Sequence, residues 1–511
     1  MDRNYPAHAR RNIDIHRTNE LVDIAPKNHL LSWVLTLLVT FIGAILRWAR
    51  LDQPNEIVFD ETYYVKDAYA ILKNGYERTA VENADQLILQ GRTDIFDASG
   101  SFVAHPPMGK WIIALGEQIG GLNSFGWRIG VAFMGTLLVL ITTRVAIRLI
   151  RSIWFGVLAG FLIAIDGLAI VMSRTALLDG IMTTFVMLGV ACILLDRDHS
   201  RNRLTRKLNP ESKYGGRWTW NLWRIPAGIF FGLAIATKWN ALWYLALIGL
   251  LTVIWDTSFR KLRRAKKPIL GTLFLDSWLA KIQLLIPATS VYLFSWFGWL
   301  ASTSGWGREN VEKSSNQIVD SFVALFNYHK QIWNFHINLV TDHSYESYAL
   351  FWPIIYRPTS FFYKENLPNC ASSNCAMEVL ALGNPLIWWL SIAALVLLLI
   401  NFIRSKNWRS GTIIALFLAG WAPWLLFPER TMFYFYAIVF LPFLVISIAY
   451  IAKLIYEGII SRGQSPKVFY VIGASVLLAT IILSIFFYPV WTSISLPKDE
   501  WLMRMWFSKW I

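Results

Sequence analysis

Residues 225–256 read IPAGIFFGLAIATKWNALWYLALIGLLTVIWD, and a basic block, FRKLRRAKK, follows at 259–267. The apolar run is longer than one bilayer crossing needs. Thr237, Lys238, Trp239 and Asn240 interrupt it near the middle as a polar turn, so it reads as two helices folded back on one another. The block after them marks the cytoplasmic end of the second helix, because Lys and Arg accumulate on that side of membrane spans.

The same alternation of apolar run and basic connection recurs along the chain. A hydrocarbon core of about 30 Å needs roughly 20 apolar helical residues, which gives about eleven spans. They fall near 30–49, 127–147, 153–171, 177–195, 225–237, 240–256, 279–300, 385–403, 411–427, 432–452 and 468–489. Of the 511 residues 55% are hydrophobic and 16% charged, and the mean hydropathy is +0.43. That leaves too little polar surface for a soluble globule, so the chain reads as an all-α polytopic membrane protein. Its 26 Trp and 19 Tyr suit many membrane-water boundaries. The net charge of +15 is confined to short blocks between apolar runs. It is a topology signal, and no nucleic-acid partner is expected.

With the N-terminus inside, the connections Arg144 to Arg151, Arg197 to Arg224, 259–267, Arg404 to Arg409 and Lys453 to Lys467 are all cytoplasmic and all basic. The short outer turns hold Arg174, Lys238 and Arg430, one basic residue apiece. The expectation is a cytoplasmic N-terminus and an extracytoplasmic C-terminus in the cell membrane. Residues 1–29 read as a cytoplasmic tail and 30–511 as one transmembrane catalytic domain.

Two long outer loops, about 50–126 and 301–384, can house aqueous chemistry. In the first, Val65, Ala68, Tyr69 and Leu72 share a helical face that Asn74-Gly75 ends, and a second helix fits Pro107 to Gln118. In the second, Ile318, Phe322, Leu325, Phe326, His329, Trp333 and His336 line one face. All read as interfacial helices. His329, His336 and His343 recur every seven residues, about 10 Å apart along a helix, which is too far for a shared ion. No metal site is expected, and no Walker loop or nucleotide-binding turn is present. Among the three cysteines, Cys370 and Cys375 are close enough to form a disulfide in an outer loop, while Cys192 reads as packing.

Asp60, Glu61, His105, Arg128, Arg174, Asp179, Lys238, His343, Glu346 and Arg430 all fall at the level of the outer membrane surface. Ionisable groups at membrane depth are costly, so their gathering suggests a site. They suit displacement at a sugar anomeric carbon: a carboxylate takes the acceptor proton, and Arg128 and Lys238 hold a departing lipid phosphate.

The motifs Phe59-Asp60-Glu61, 105–110 (HPPMGK), 125–128 (FGWR), 173–179 (SRTALLD), 237–240 (TKWN), 343–347 (HSYES) and 382–389 (LGNPLIWW) resemble, in this order, the signature of protein O-mannosyltransferases. The chain lacks the β-trefoil insert of eukaryotic members and so resembles the bacterial, actinobacterial-type branch. The resemblance implies a GT-C fold and a polyprenyl-phosphate mannose donor. It also implies inverting transfer to Ser or Thr of proteins emerging from the Sec translocon. On that carry-over Asp60 is the base or the acceptor-orienting carboxylate, Glu61 orients substrate, and Arg128 and Lys238 face the lipid phosphate. His105, Arg174, Asp179, His343 and Glu346 take supporting roles. The donor is a co-substrate and no cofactor is expected. Transfer of another lipid-linked sugar to a glycan or lipid, and lipid or solute transport, are the competing readings.

Overall fold

A computed structural model describes residues 28–207, 213–214, 221–262, 265–311, 314, 316–367 and 374–511, without the side chains of 202–207 and 262. The expected tail thus lies almost wholly outside the described residues. The first helix, α1 (His29–Trp48), begins at Asn28, whose side chain accepts the Leu31 N–H at 3.0 Å. The first large loop follows with α2 (Glu61–Asn74), β1 (Arg78–Ala80), α3 (Ala84–Leu89), β2 (Phe96–Gly100) and α4 (Met108–Gly120). The bundle continues with α5 (Ser124–Ile150), α6 (Ile153–Ile165), α7 (Gly167–Val171), α8 (Leu178–Lys207), α9 (Arg224–Ile235), α10 (Leu242–Leu262) and α11 (Pro268–Ser295). The second large loop holds α12 (Phe297–Ala301), α13 (Gln317–Ile337), β3 (Thr359–Glu365) and β4 (Cys375–Ala381). After it come α14 (Pro385–Ser405), α15 (Trp408–Trp421), α16 (Leu441–Ser461), α17 (Lys467–Trp491), β5 (Leu496–Pro497) and α18 (Lys498–Leu502).

Among the described residues nine helices are long and apolar enough to cross a bilayer, which makes the chain a multi-pass membrane protein. At two further expected spans, α6 and α9 have 13 and 12 residues. At 1.5 Å per residue each covers roughly 20 Å, less than the hydrocarbon thickness. The span expected at 153–171 is broken at Asp166, which caps α7. The split at 237–240 is present: α9 ends at Ile235, a 3-10 turn occupies Trp239–Ala241, and α10 starts at Leu242.

One span is displaced. The helix expected at 432–452 is α16, Leu441–Ser461, and the preceding apolar residues form a buried 3-10 segment, Tyr434–Val439. Hydropathy treats both alike, but Pro442 sits in the first turn of α16, where a missing N–H costs nothing, and fixes the start. The span expected at 279–300 also starts earlier, at Pro268, and contains a π-helical stretch, Thr272–Ser277.

The helical reading also missed two small sheets. β1 and β2 pair antiparallel, and β3, β4 and β5 form a sheet in that order. Cys375, at the start of β4, is disulfide-bonded; Cys370 lies outside the described residues, and Cys192 is free and buried.

Two polar knots hold the bundle. Asp166 accepts from Ala169 N at 3.2 Å, Asn384 N at 3.0 Å and Trp388 Nε1 at 3.0 Å, while Asn384 Nδ2 donates to Thr480 O at 2.9 Å. A Cβ on Gly383 would lie 1.9 Å from Trp388 Nε1, so the glycine is needed for this close approach. The LGNPLIWW motif is therefore a joint between α7, α14 and α17. At the face opposite the large loops, Arg224 pairs with Asp196 (2.9 Å) and Asp256 (3.0 Å), and Arg260 pairs with Asp276 (2.7 Å), tying α8, α9, α10 and α11 together.

Candidate active site

The site is built around a sharp turn at the start of α2. Phe59 adopts a left-handed backbone with φ of 49°, and its ring stacks on Phe361 at 4.7 Å and meets Phe433 and Phe435 edge-on. Packing on these three phenylalanines over-determines a backbone conformation that a bulky side chain otherwise avoids. The turn places Asp60 at the N-cap of α2, yet its side chain caps nothing. Among the described residues its carboxylate makes no hydrogen bond or ion pair, although an acidic N-cap ordinarily does.

Glu61 lies in the opposite situation. It is fully buried, and each carboxylate oxygen accepts two hydrogen bonds. Oε1 takes Arg128 Nε and Ala176 N, both at 2.9 Å. Oε2 takes Arg128 Nη2 at 2.9 Å and Val58 N at 3.1 Å. Arg128 spends its other protons on the carbonyls of Leu51, Pro54 and Glu56. With 1% exposure and every nitrogen committed, this guanidinium has no donor left for a phosphate. The expected phosphate role of Arg128 and the substrate role of Glu61 give way to a buried ion pair that joins α2, α5 and the turn before α8.

Arg174 is likewise structural. It donates to the carbonyls of Arg47 (2.9 Å), Ala49 (2.6 Å) and Arg50 (2.7 Å), capping the end of α1. Its neighbour Asp179 pairs instead with Lys238, whose Nζ lies 2.9 Å from both carboxylate oxygens. Two ammonium protons face Asp179 and leave one for another acceptor, and Nζ also sits 4.4 Å above the Tyr436 ring. Asp60 lies within the field of this pair. Burial raises its carboxyl to about 6, with Lys238 opposing the rise and Asp179 adding to it.

Lys238 opens onto a cavity of about 470 Å³ lined by His105, Trp239, Asn240, Trp333, His336, Trp424 and Arg430 together with aliphatic side chains of α10. Arg430 Nε donates to His336 O and its Nη1 to Thr431 O, both at 3.1 Å. Its Nη2 has no protein partner among the described residues. The His105 and His336 rings stack at 5.0 Å, and His336 Nε2 lies 2.8 Å from Ala104 O. Burial first, and then the nearby cations, lower both imidazoles, His336 to about 4, so both are neutral near pH 7. Two buried polar atoms of the lining, His105 Nδ1 and Asn240 Oδ1, lack hydrogen-bond partners among the described residues. Such orphans are rare in native structures and point to a ligand that supplies the missing partners.

A second cleft of about 430 Å³ runs between α10 and α11, lined by Leu245, Gly249, Val253, Ala280 and Leu284. It shares Leu242 and Ala246 with the first cavity, so the two adjoin along α10. His343 and Glu346 are exposed, and the His343 ring stands 4.9 Å from Phe433 and 6.4 Å from Phe59. His329 bonds Tyr292 rather than either of the other two histidines. Sequence reasoning placed Arg430 in the outer-surface group but gave it no role, and it gave none to His336, Trp239 or Asn240. The lone cation in the turn after α15 was the available signal.

The chain matches the family model for dolichyl-phosphate-mannose-protein mannosyltransferase over residues 37–301. It also matches the C-terminal four-transmembrane region of protein-O-mannosyltransferase over residues 321–510. The chain belongs to the protein O-mannosyltransferase family. It is 30% identical over 507 residues to the polyprenol-phosphate-mannose–protein mannosyltransferase of Mycolicibacterium smegmatis, covering 96% of this chain and 95% of that protein. With the protein of the same name from Corynebacterium glutamicum the identity is 28%, over 94% and 93% of the two chains. The Saccharomyces cerevisiae Pmt1-Pmt2 complex bound to the sugar donor superposes with a TM-score of 0.73 at 14% identity, over 96% of this chain and 94% of that one. The fold is therefore that of the GT-C glycosyltransferases.

Proposed function

We propose that the chain transfers mannose from a polyprenyl-phosphate mannose donor to Ser or Thr hydroxyls of polypeptides, with inversion, at the membrane face that carries the two large loops. The observation that carries this reading is the pairing of an uncommitted carboxylate, Asp60, with a cation-crowned apolar cavity that contains two orphaned polar atoms. A lipid-borne sugar phosphate has the matching chemistry: anionic at the head, hydroxylated beside it and apolar behind.

In this mechanism Asp60 accepts the proton of the acceptor hydroxyl as its oxygen attacks the anomeric carbon. The bond from that carbon to the phosphate oxygen breaks and its electron pair leaves with the polyprenyl phosphate. Lys238, steadied by Asp179, and Arg430 balance the charge that develops there. His105 and Asn240 offer a neutral ring nitrogen and a carbonyl oxygen to sugar hydroxyls. The tail lies along α10 in the cleft past Leu242 and Ala246. Glu61 and Arg128 hold the turn that aims Asp60. No step runs through a metal ion.

The basic connections on the face opposite the loops support a cytoplasmic N-terminus and a loop face outside the cell membrane, the face at which acceptors leaving the Sec translocon would emerge. The test is transfer from polyprenyl-phosphate mannose to a Ser/Thr-rich peptide by membranes carrying Asp60→Asn. Loss of roughly 10²- to 10⁴-fold is expected of a missing general base. Full activity would remove Asp60 from that role. Unaltered hexose on Ser and Thr of secreted proteins in a deletion strain would remove the transferase reading itself.

A further inference from the structure

Residues 343–347 form a wall beside the catalytic turn, where the His343 ring meets Phe59, the residue before Asp60. The wall is fixed at both ends. At its start the His343 ring is seated against Phe433 and Phe59. At its end Ser347 N donates to Met432 O at 2.8 Å, and Ser347 O accepts from Trp352 Nε1 at 2.9 Å. The middle is held from outside by one side chain, Arg357. Its Nε and Nη2 both donate to Ser344 O, at 3.1 and 2.8 Å, and its guanidinium lies 4.8 Å from the Tyr345 ring centre. The remaining nitrogen, Nη1, donates to the main-chain oxygens of Lys509 and Ile511, the second at 2.7 Å.

The segment reached by Nη1 is itself rigid. Trp510 is 1% exposed, donates from Nε1 to Ile355 O at 2.9 Å, and packs with Phe487, Trp506 and Phe507. Arg357 therefore bridges a packed aromatic anchor and a loop whose exposed His343 ring meets Phe59 of the catalytic turn. Lysine cannot make this bridge, because a single ammonium lacks the fork that spans two separated acceptors.

We infer that Arg357 is a positioning residue for the acceptor: a guanidinium clamp that ties residues 509–511 to the 343–347 loop and sets the surface on which the acceptor polypeptide docks beside Asp60. This rests on the reading of Asp60 as the site of transfer. The lipid cavity shares no lining residue with the clamp, so donor and acceptor kinetics separate the two.

The experiment measures KM for a Ser/Thr peptide and for the donor independently, in detergent-solubilised wild type, Arg357→Ala, Arg357→Lys and Tyr345→Leu. Arg357→Ala is expected to raise the acceptor KM about tenfold with the donor KM unchanged, as loss of a charge-assisted contact implies. Arg357→Lys should leave most of that loss in place, because one ammonium cannot hold both segments at once. Tyr345→Leu should shift the acceptor KM in the same direction, and its effect should not add to that of Arg357→Ala, since both act on one contact. Equal rises in both KM values, no change in either, or a fall in kcat alone would overturn the inference. Any of these beside an inactive Asp60→Asn sinks the clamp and leaves the base standing. An acceptor-specific shift beside a fully active Asp60→Asn sinks the base and leaves the clamp.

Discussion

Replacing Glu61 by Gln preserves shape and volume, yet the hydrogen-bond pattern leaves the amide no acceptable orientation. Each oxygen of Glu61 accepts two N–H groups, one from Arg128 and one from the backbone. Whichever oxygen becomes an NH₂ therefore faces two donors. The change also strips the counter-charge from a guanidinium that is 1% exposed. Removing one partner of a buried ion pair costs about 3–5 kcal/mol, and the unavoidable donor-donor contact places Glu61→Gln in the upper part of that range. Asp60→Asn, one residue earlier, removes a carboxylate that bonds nothing. Burial raises the Asp60 carboxyl, so its protonation stabilises the fold fully below the unfolded value near 3.8 and fades as pH rises through about 6. Above pH 6 the Asn variant should be at least as stable as wild type. Equilibrium unfolding in mixed detergent micelles at pH 7, with transfer assayed on the same preparations, should give two opposite phenotypes: Glu61→Gln unstable, Asp60→Asn stable and inactive. Wild-type stability in Glu61→Gln would refute the scaffold assignment.

Three further outcomes follow from the same geometry. kcat/KM should rise with pH through about 6 and level off above it, because Asp60 works as a base only when ionised; a flat profile between pH 5 and 7 would contradict this. Lys238→Met and Arg430→Met should each raise the donor KM by roughly tenfold or more, for long and short lipid tails alike, with the acceptor KM unmoved. Gly249 faces open space in the apolar cleft, with no atom within 4 Å of an added Cβ. Gly249→Phe should therefore fill the path of the tail and raise KM for a full-length polyprenyl donor while sparing a donor with one or two isoprene units.

Features written in composition and order were legible from the sequence. The polar turn at Thr237–Asn240 and the Gly75 stop, with φ of 83°, both lie where chain chemistry puts them. The gathering of Asp60, Lys238, Asp179 and Arg430 also followed from threading, since each falls just beyond an apolar run. What pairs with what did not follow. Arg128 and Lys238 look equivalent as lone cations, yet one has all its protons spent on a carboxylate and three carbonyls while the other keeps one for a ligand. That distinction arises from contacts between residues 67 and 59 positions apart. Arg174, five residues before Asp179, was its natural partner by spacing, but it points back to the end of α1. β3 and β4 were missed because they lie in a loop between helical segments and their residues do not alternate between buried and exposed as in a half-buried strand.

The knot at Asp166 has a consequence for how the chain is made. This carboxylate is buried between α6 and α7, and its partner Asn384 lies 218 residues further on. At about 5–20 residues per second of synthesis, the ribosome needs roughly 10–40 s between exposing one and the other. The spans around Asp166 must therefore enter the bilayer while its acid group has no partner from α14 or α17. For that interval the early helices must keep the group near water, or near whatever holds nascent membrane segments. The arrival of residues 382–388 then closes the early half of the bundle against the late half, and makes completion of the fold an event of late translation.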